Sequence, residues 1–159
     1  MRHTVVLAAL AFLTLSSLAL ADDSFRNQVH GAMVADRQDA TIAEFVKAAS
    51  TATEEGSLLR FIWPATLQAF GVDGWKDYLR TKIMPYFSGA GILDGYQGLA
   101  SMTMDEDGGT PAIVHFGYAR GSDGKRKPFE MVMVTTAEGI FVANVMVGTC
   151  RAGHHPVCE

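Results

Sequence analysis

The sequence predicts an α+β domain in which amino-terminal helices pack on a curved antiparallel sheet of about four strands. Three observations lead there. Apolar residues recur at spacings of three and four through the first half of the chain, which sets them along one side of a helix. From Tyr96 onward the pattern changes to short runs rich in Val, Ile, Phe and Met, separated by turn residues as strands are. The turns are short, and a short turn joins antiparallel neighbours, because a parallel pair needs a long crossover. Helices first and strands afterwards argue for helices gathered on one side of the sheet.

Residues 1–21, MRHTVVLAALAFLTLSSLALA, stand apart. Arg2 and His3 form a short basic start, an apolar stretch runs from Val5 to Leu15, and Ala19-Leu20-Ala21 offers the small-x-small pattern of a signal-peptidase site. Thr14, Ser16 and Ser17 interrupt the run, and Asp22 and Asp23 follow it. A membrane anchor would instead keep about 20 apolar residues together. The expectation is a cleaved signal, an exported periplasmic or secreted product, and one domain over 22–159. Loss of Arg2 leaves 12 basic against 17 acidic side chains in 138 residues, a net charge of −5. That balance gives no footprint for nucleic acid, whose binding depends on neutralising phosphates. No later segment is long and apolar enough to span a membrane.

Each element has its own signal. Ser24 can cap a segment with Phe25, Val29 and Met33 on one face, and Asp39 a second with the stripe Ile42, Phe45, Val46 and Ala49. Whether the two fuse across Asp36-Arg37-Gln38 is open. Gly56 is the expected left-handed stop. Pro64 suits the first turn of a short helix that Gly71 ends. Asp73 is the expected cap of the next helix, which carries Trp75, Tyr78, Leu79, Ile83 and Tyr86 and meets Pro85 near its end. The three glycines between Ser88 and Gly95 mark a loop. Strands are expected at 96–104, 112–120, 129–136 and 140–148.

The last two strands are apolar on both faces. Val132, Val134, Phe141, Ala143, Val145 and Val147 share one face by period two, while Met131, Met133, Ile140, Val142 and Met146 take the other. An antiparallel sheet covered on one side normally alternates apolar with polar. Either the sheet curls strongly around the helices, or two copies meet sheet to sheet as a homodimer.

The only cysteines, Cys150 and Cys158, bracket the tail CRAGHHPVC. In an oxidising compartment two such cysteines pair, and so short a loop restrains the unfolded chain by about 2–3 kcal/mol. A thiolate metal site with His154 and His155 is the weaker reading, since its spacing differs from closed zinc sites. The eight methionines show no Met-x-x-Met or His-rich tract for copper, and Asp105-Glu106-Asp107-Gly108-Gly109 lacks the ligand periodicity of a calcium loop. Lys125-Arg126-Lys127 reads as a solvated turn. No cofactor is expected, and no phosphate-binding Gly-rich loop or nucleophile elbow is present.

The phrases FIWPATLQAFGVDGWKDYLRTKIMPYF and PAIVHFGYARGSDGKRKPFEMVMVTTAEGIFVANV, with the Glu138-Gly139 turn of the final hairpin, resemble the nuclear-transport-factor-2-like superfamily. The likeness spans roughly residues 39–148. Where members often carry an acidic-Gly-Lys-Trp turn, this chain has no Lys-Trp. The resemblance implies a cystatin-like cone with a pocket at its open end, in a superfamily of isomerases, dehydratases, cyclases and non-catalytic binding domains. No catalytic set carries over residue by residue.

Within such a pocket, Trp63, Tyr78, Tyr86, Phe87 and Tyr96 are the candidate ligand-binding aromatics, although aromatics at helical spacing also build plain core. His115 is the one histidine within an expected strand and, with Asp94 and Tyr96 nearby, the candidate acid–base group. The strand's more apolar face is formed by Val114, Phe116 and Tyr118, which turns His115 the other way and favours a structural or surface role. Three functions remain in view. The first is a non-enzymatic binding domain for a small apolar ligand or a protein partner. The others are a small acid–base lyase or isomerase and a periplasmic inhibitor or partner protein.

Overall fold

The computed structural model describes residues 37–92, 102–103 and 112–150. The chain divides into two compact units, Met1–Val34 and Ala35–Glu159, and the described residues belong to the second. The leader at 1–21, the helix expected at 24–33, Asp94, Tyr96, the acidic turn at 105–109 and the tail residues His154, His155 and Cys158 lie outside them.

The unit is α+β. Residues 37–51 form α1, whose buried stripe Ile42, Phe45, Val46 and Ala49 matches the spacing in the sequence. Asp39 does not cap it, because the helix is already formed at Arg37. The buried Gln38 extends the inward stripe by another turn. Nor does Gly56 end it: α1 stops at Thr51, and Gly56 sits inside a 3₁₀ helix, Glu55–Phe61. That short helix buries Leu58 and Phe61, the latter edge-on to Phe45 with ring centroids 5.7 Å apart.

Helix α2, Pro64–Phe70, starts on its proline and ends at Gly71. There φ is 79°, a left-handed value open to glycine at little cost. Gly71 also occupies the cap position of α3, Val72–Tyr78, and no side chain caps it. Asp73 therefore lies in the first turn, where a negative charge faces the positive helix end.

The chain continues as a π turn, Leu79–Ile83, and α4, Met84–Phe87. Two features explain the π turn. Pro85 has no N–H, and its ring crowds the carbonyl four residues back, so the ladder loosens there: the Met84 N–H reaches the Leu79 carbonyl, five residues back. In addition, the buried residues Trp75, Leu79, Ile83 and Phe87 recur strictly every four positions. In a plain α-helix each such step overshoots by about 40°. A wider turn takes some of that rotation back and keeps the stripe on one side.

Three long strands make the sheet: β3 (Ala112–Arg120), β4 (Arg126–Thr135) and β5 (Ile140–Val147). Two-residue strands β1 (Gly91–Ile92) and β2 (Met102–Thr103) pair with opposite ends of β3. All pairings between strands are antiparallel. Of the strand expected at 96–104, only Met102 and Thr103 fall among the described residues. β4 opens at Arg126, three residues before the expected start, because Arg126 and Lys127 pair with Arg120 and Ala119. The β3–β4 turn is tightened by the Gly121 N–H on the Lys125 carbonyl, the Gly124 N–H on the Gly121 carbonyl and the Lys125 N–H on Asp123.

β5 breaks the period of two. Val132 faces Asn144 but Met133 faces Val142, so Ala143 is an extra residue, a β-bulge. The bulge puts Val142 and Val145, three apart, both fully in the core with Met131 and Met133. This corrects the period-two grouping and accounts for much of the two-faced apolar pattern. On the other face Phe116, Tyr118 and Val134 are already buried within a single chain. That pattern therefore does not require a second copy.

Among the described residues β5 ends the sheet, and helical-region groups meet its backbone. Trp63 gives its N–H to the Val142 carbonyl at 2.9 Å, and the Tyr78 hydroxyl donates to the Val145 carbonyl at 2.8 Å. Asn144 Oδ1 accepts the Val145 N–H at 2.8 Å. At the far end the Tyr86 hydroxyl donates to the Pro128 carbonyl. Phe87 stacks edge-on against Tyr86 and Phe129. Truncation of a fully buried ring in this position leaves a cavity, so Phe87→Ala is expected to lower unfolding free energy by about 3–5 kcal/mol, read as a reduced urea midpoint.

Candidate functional site

A cleft of about 520 Å³ opens between α2, α3 and the bulge of β5, lined by Thr66, Phe70, Gly74, Trp75, Tyr78, Ala143 and Asn144. Its construction follows from the elements. Positive-φ Gly71 turns α2 into α3, setting Phe70 on one side of the corner and Gly74 and Trp75 on the other. The bulge brings Ala143 and Asn144 to the opposite wall. Phe70 is 74% exposed, and Val72, just past the corner, is 44% exposed. Gly74 sits within α3, where glycine costs about 1 kcal/mol relative to alanine. A Cβ built there meets nothing within 4 Å, so packing does not demand the glycine.

Polar groups at the cleft have defined roles. Burial raises the Tyr78 phenol above its ordinary pKa, so it remains a donor to the Val145 carbonyl at neutral pH. Asn144 Oδ1 is held by the Val145 N–H, which fixes the amide orientation and leaves its NH₂ as a donor. Among the described residues no Asp, Glu, Lys, Arg or His belongs to the lining.

Of the five candidate aromatics, Tyr78 lines the cleft. Trp63 is half-buried beside β5, Tyr86 is pinned to Pro128, and Phe87 is fully buried in the core. Tyr96 lies outside the described residues. Lys127 of the basic turn folds inward and donates to the Tyr86 carbonyl at 2.8 Å. Cys150 carries no free thiol. Among the described residues no group of three His, Cys, Asp or Glu is placed to hold a metal, and no helix is long and apolar enough to cross a membrane. The sequence does not single out Thr66, Phe70, Gly74, Trp75, Ala143 or Asn144 as site residues. An apolar residue directly before a helix-ending glycine, and a glycine inside a helix, were the available signals.

His115 is on the face opposite Phe116, as strand alternation requires, but that face packs on the helices. Paired with Met131 across the ladder, it is fully buried, not a surface group. Its Nε2 lies 2.6 Å from Gln38 Oε1, and Gln38 Nε2 donates to Thr135 Oγ1 at 3.0 Å. This polar chain ties α1 to β3 and β4. The Asp39 carboxylate is 3.7 Å from Nδ1, beyond hydrogen-bond length, and its side chain is half-exposed, so solvent screens its pull. Burial dominates and pushes the imidazole pKa down to about 4. His115 is not part of the cleft wall.

The direction of the pH effect follows. Unfolded, His115 takes up a proton near pH 6.5; folded, it does so near 4. Its contribution to stability is therefore complete above about pH 7 and declines as pH falls through the interval between those values, by about 3 kcal/mol in all. Unfolding free energy measured from pH 7 to pH 4.5 should fall more steeply for the native chain than for His115→Gln. Parallel curves would remove His115 from the account. No protein-family model, no curated protein and no solved structure matches the chain.

Proposed function

We propose that the chain is an exported, non-catalytic binding domain whose cleft holds one compact apolar molecule. The observation that carries this reading is the cleft. Its volume lies within the roughly 300–1,000 Å³ typical of small-molecule sites, and an aromatic-rich wall with a few polar groups is the usual composition. The open Gly74 supports it, since a helix glycine without a packing reason keeps space free. Export rests on the leader pattern at 1–21, and a Cys150–Cys158 disulfide closing the tail belongs to the same proposal. A curved, cone-like sheet of the nuclear-transport-factor-2-like kind belongs to the same proposal and rests on the sequence phrases that resemble that superfamily.

The competing readings receive less support. An acid–base enzyme needs a titratable group within reach of its substrate, and His115 is engaged with Gln38 away from the cleft. A protein partner needs about 800 Å² of contact per side. Among the described residues, Phe70 and Val72 are the large hydrophobics that are exposed. Together they offer only about 200 Å².

The test uses the neutral fluorescent probe N-phenyl-1-naphthylamine. Saturable, one-to-one enhancement of its emission is expected with the folded chain. Gly74→Leu should fill the cleft and abolish the enhancement, while leaving stability unchanged or raised by up to about 1 kcal/mol through helix propensity. Phe70→Ala should weaken binding while changing stability by less than about 0.5 kcal/mol, as for other exposed positions. Absence of saturable binding, or binding indifferent to Gly74→Leu, overturns the proposal.

A further inference from the structure

The polar balance of the cleft wall identifies the chemical class of its ligand. Asn144 Oδ1 already accepts the Val145 N–H and the Tyr78 hydroxyl has given its one proton to the Val145 carbonyl, so both oxygens are partnered, each with lone-pair capacity to spare. The wall group left without any partner is a donor. The NH₂ of Asn144 is left over once its oxygen is fixed. The Trp75 side chain is only 6% exposed, and its Nε1 is buried with no hydrogen-bond partner among the described residues. A buried N–H without a partner is costly and uncommon in folded proteins. Among the described residues no charged side chain lines the cleft to hold an ion.

We infer that the cleft takes an uncharged, apolar molecule bearing a hydrogen-bond acceptor such as a ketone, ester or ether oxygen, and that the Trp75 indole N–H and the Asn144 amide receive that acceptor. This deepens the binding-domain reading and rests on it. Solvent does not reach Trp75 Nε1, so the acceptor arrives as the wall side chains yield around the ligand's apolar body. Phe70, largely exposed at the α2–α3 corner, is the wall member with most freedom to move aside. Thr66, whose hydroxyl can donate or accept, is compatible with either polarity and decides nothing.

Two probes of nearly equal shape separate this inference from simple apolar binding. Benzophenone carries a carbonyl where diphenylmethane carries a methylene. Benzophenone is expected to bind roughly tenfold more tightly, the value of one hydrogen bond completed in a buried site. The Trp75 indole N–H proton resonance should move downfield with benzophenone and stay in place with diphenylmethane. It is assigned in the full chain by the loss of the other indole signal in Trp63→Phe, so the measurement does not depend on a Trp75 variant folding. In Trp75→Phe, if folded, the preference for benzophenone should shrink. Equal affinities with an unmoved indole signal overturn the acceptor inference and leave the binding-domain reading standing. Failure of both probes to bind removes the two together.

Discussion

The stripe Trp75–Leu79–Ile83–Phe87, laid against β4 and β5, is the constraint on which the rest of this unit depends. Four large apolar side chains repeat every four residues, and an unmodified α-helix would carry them progressively off the sheet. The π turn before Pro85 keeps them in the core that also holds Phe129, Met131 and Val145. With the rod so placed, Tyr78 reaches the Val145 carbonyl and Tyr86 the Pro128 carbonyl. Trp75 is then held beside the β5 bulge. The cleft is what remains between the amino-terminal end of that rod, the preceding short helix and the strand.

Much of the fold was legible because it follows local rules. The α1 stripe, the proline start of α2, its glycine stop and the three long strands all show in residue spacing and turn chemistry. What failed were the fine positions: Asp39 and Asp73 as caps, and Gly56 as a stop. At Asp39 a long-range demand outweighed the local signal, and at Asp73 a neighbouring residue had already taken the cap. Gln38 is drawn inward by Thr135 and His115, and Gly71 serves two helices at once.

The bulge at Ala143 shows why the site was harder to read than the fold. Period-two reasoning assigns Val142 and Val145 to opposite faces, and nothing in IFVANVMV announces the extra residue. Once the strand slips, those two valines share the core, and Ala143 and Asn144 turn to the cleft. For His115 a structural and a surface role stayed open for a related reason. Its strand has apolar residues on both sides, so composition alone could not say which side meets the helices. Its burial and its bond to Gln38 make it part of the structural frame.

The contacts along β5 bear on how the molecule behaves in company. A terminal strand offers hydrogen-bonding groups to any other extended chain, and such edges template aggregation. Here Trp63 covers the carbonyl of Val142, Tyr78 that of Val145, and Asn144 takes the Val145 N–H with its own side chain. Together with the kink of the bulge, these contacts interrupt the regular ladder that an incoming strand would need. Two residues that shape the cleft, Tyr78 and Asn144, thus also guard the sheet margin against polymerisation.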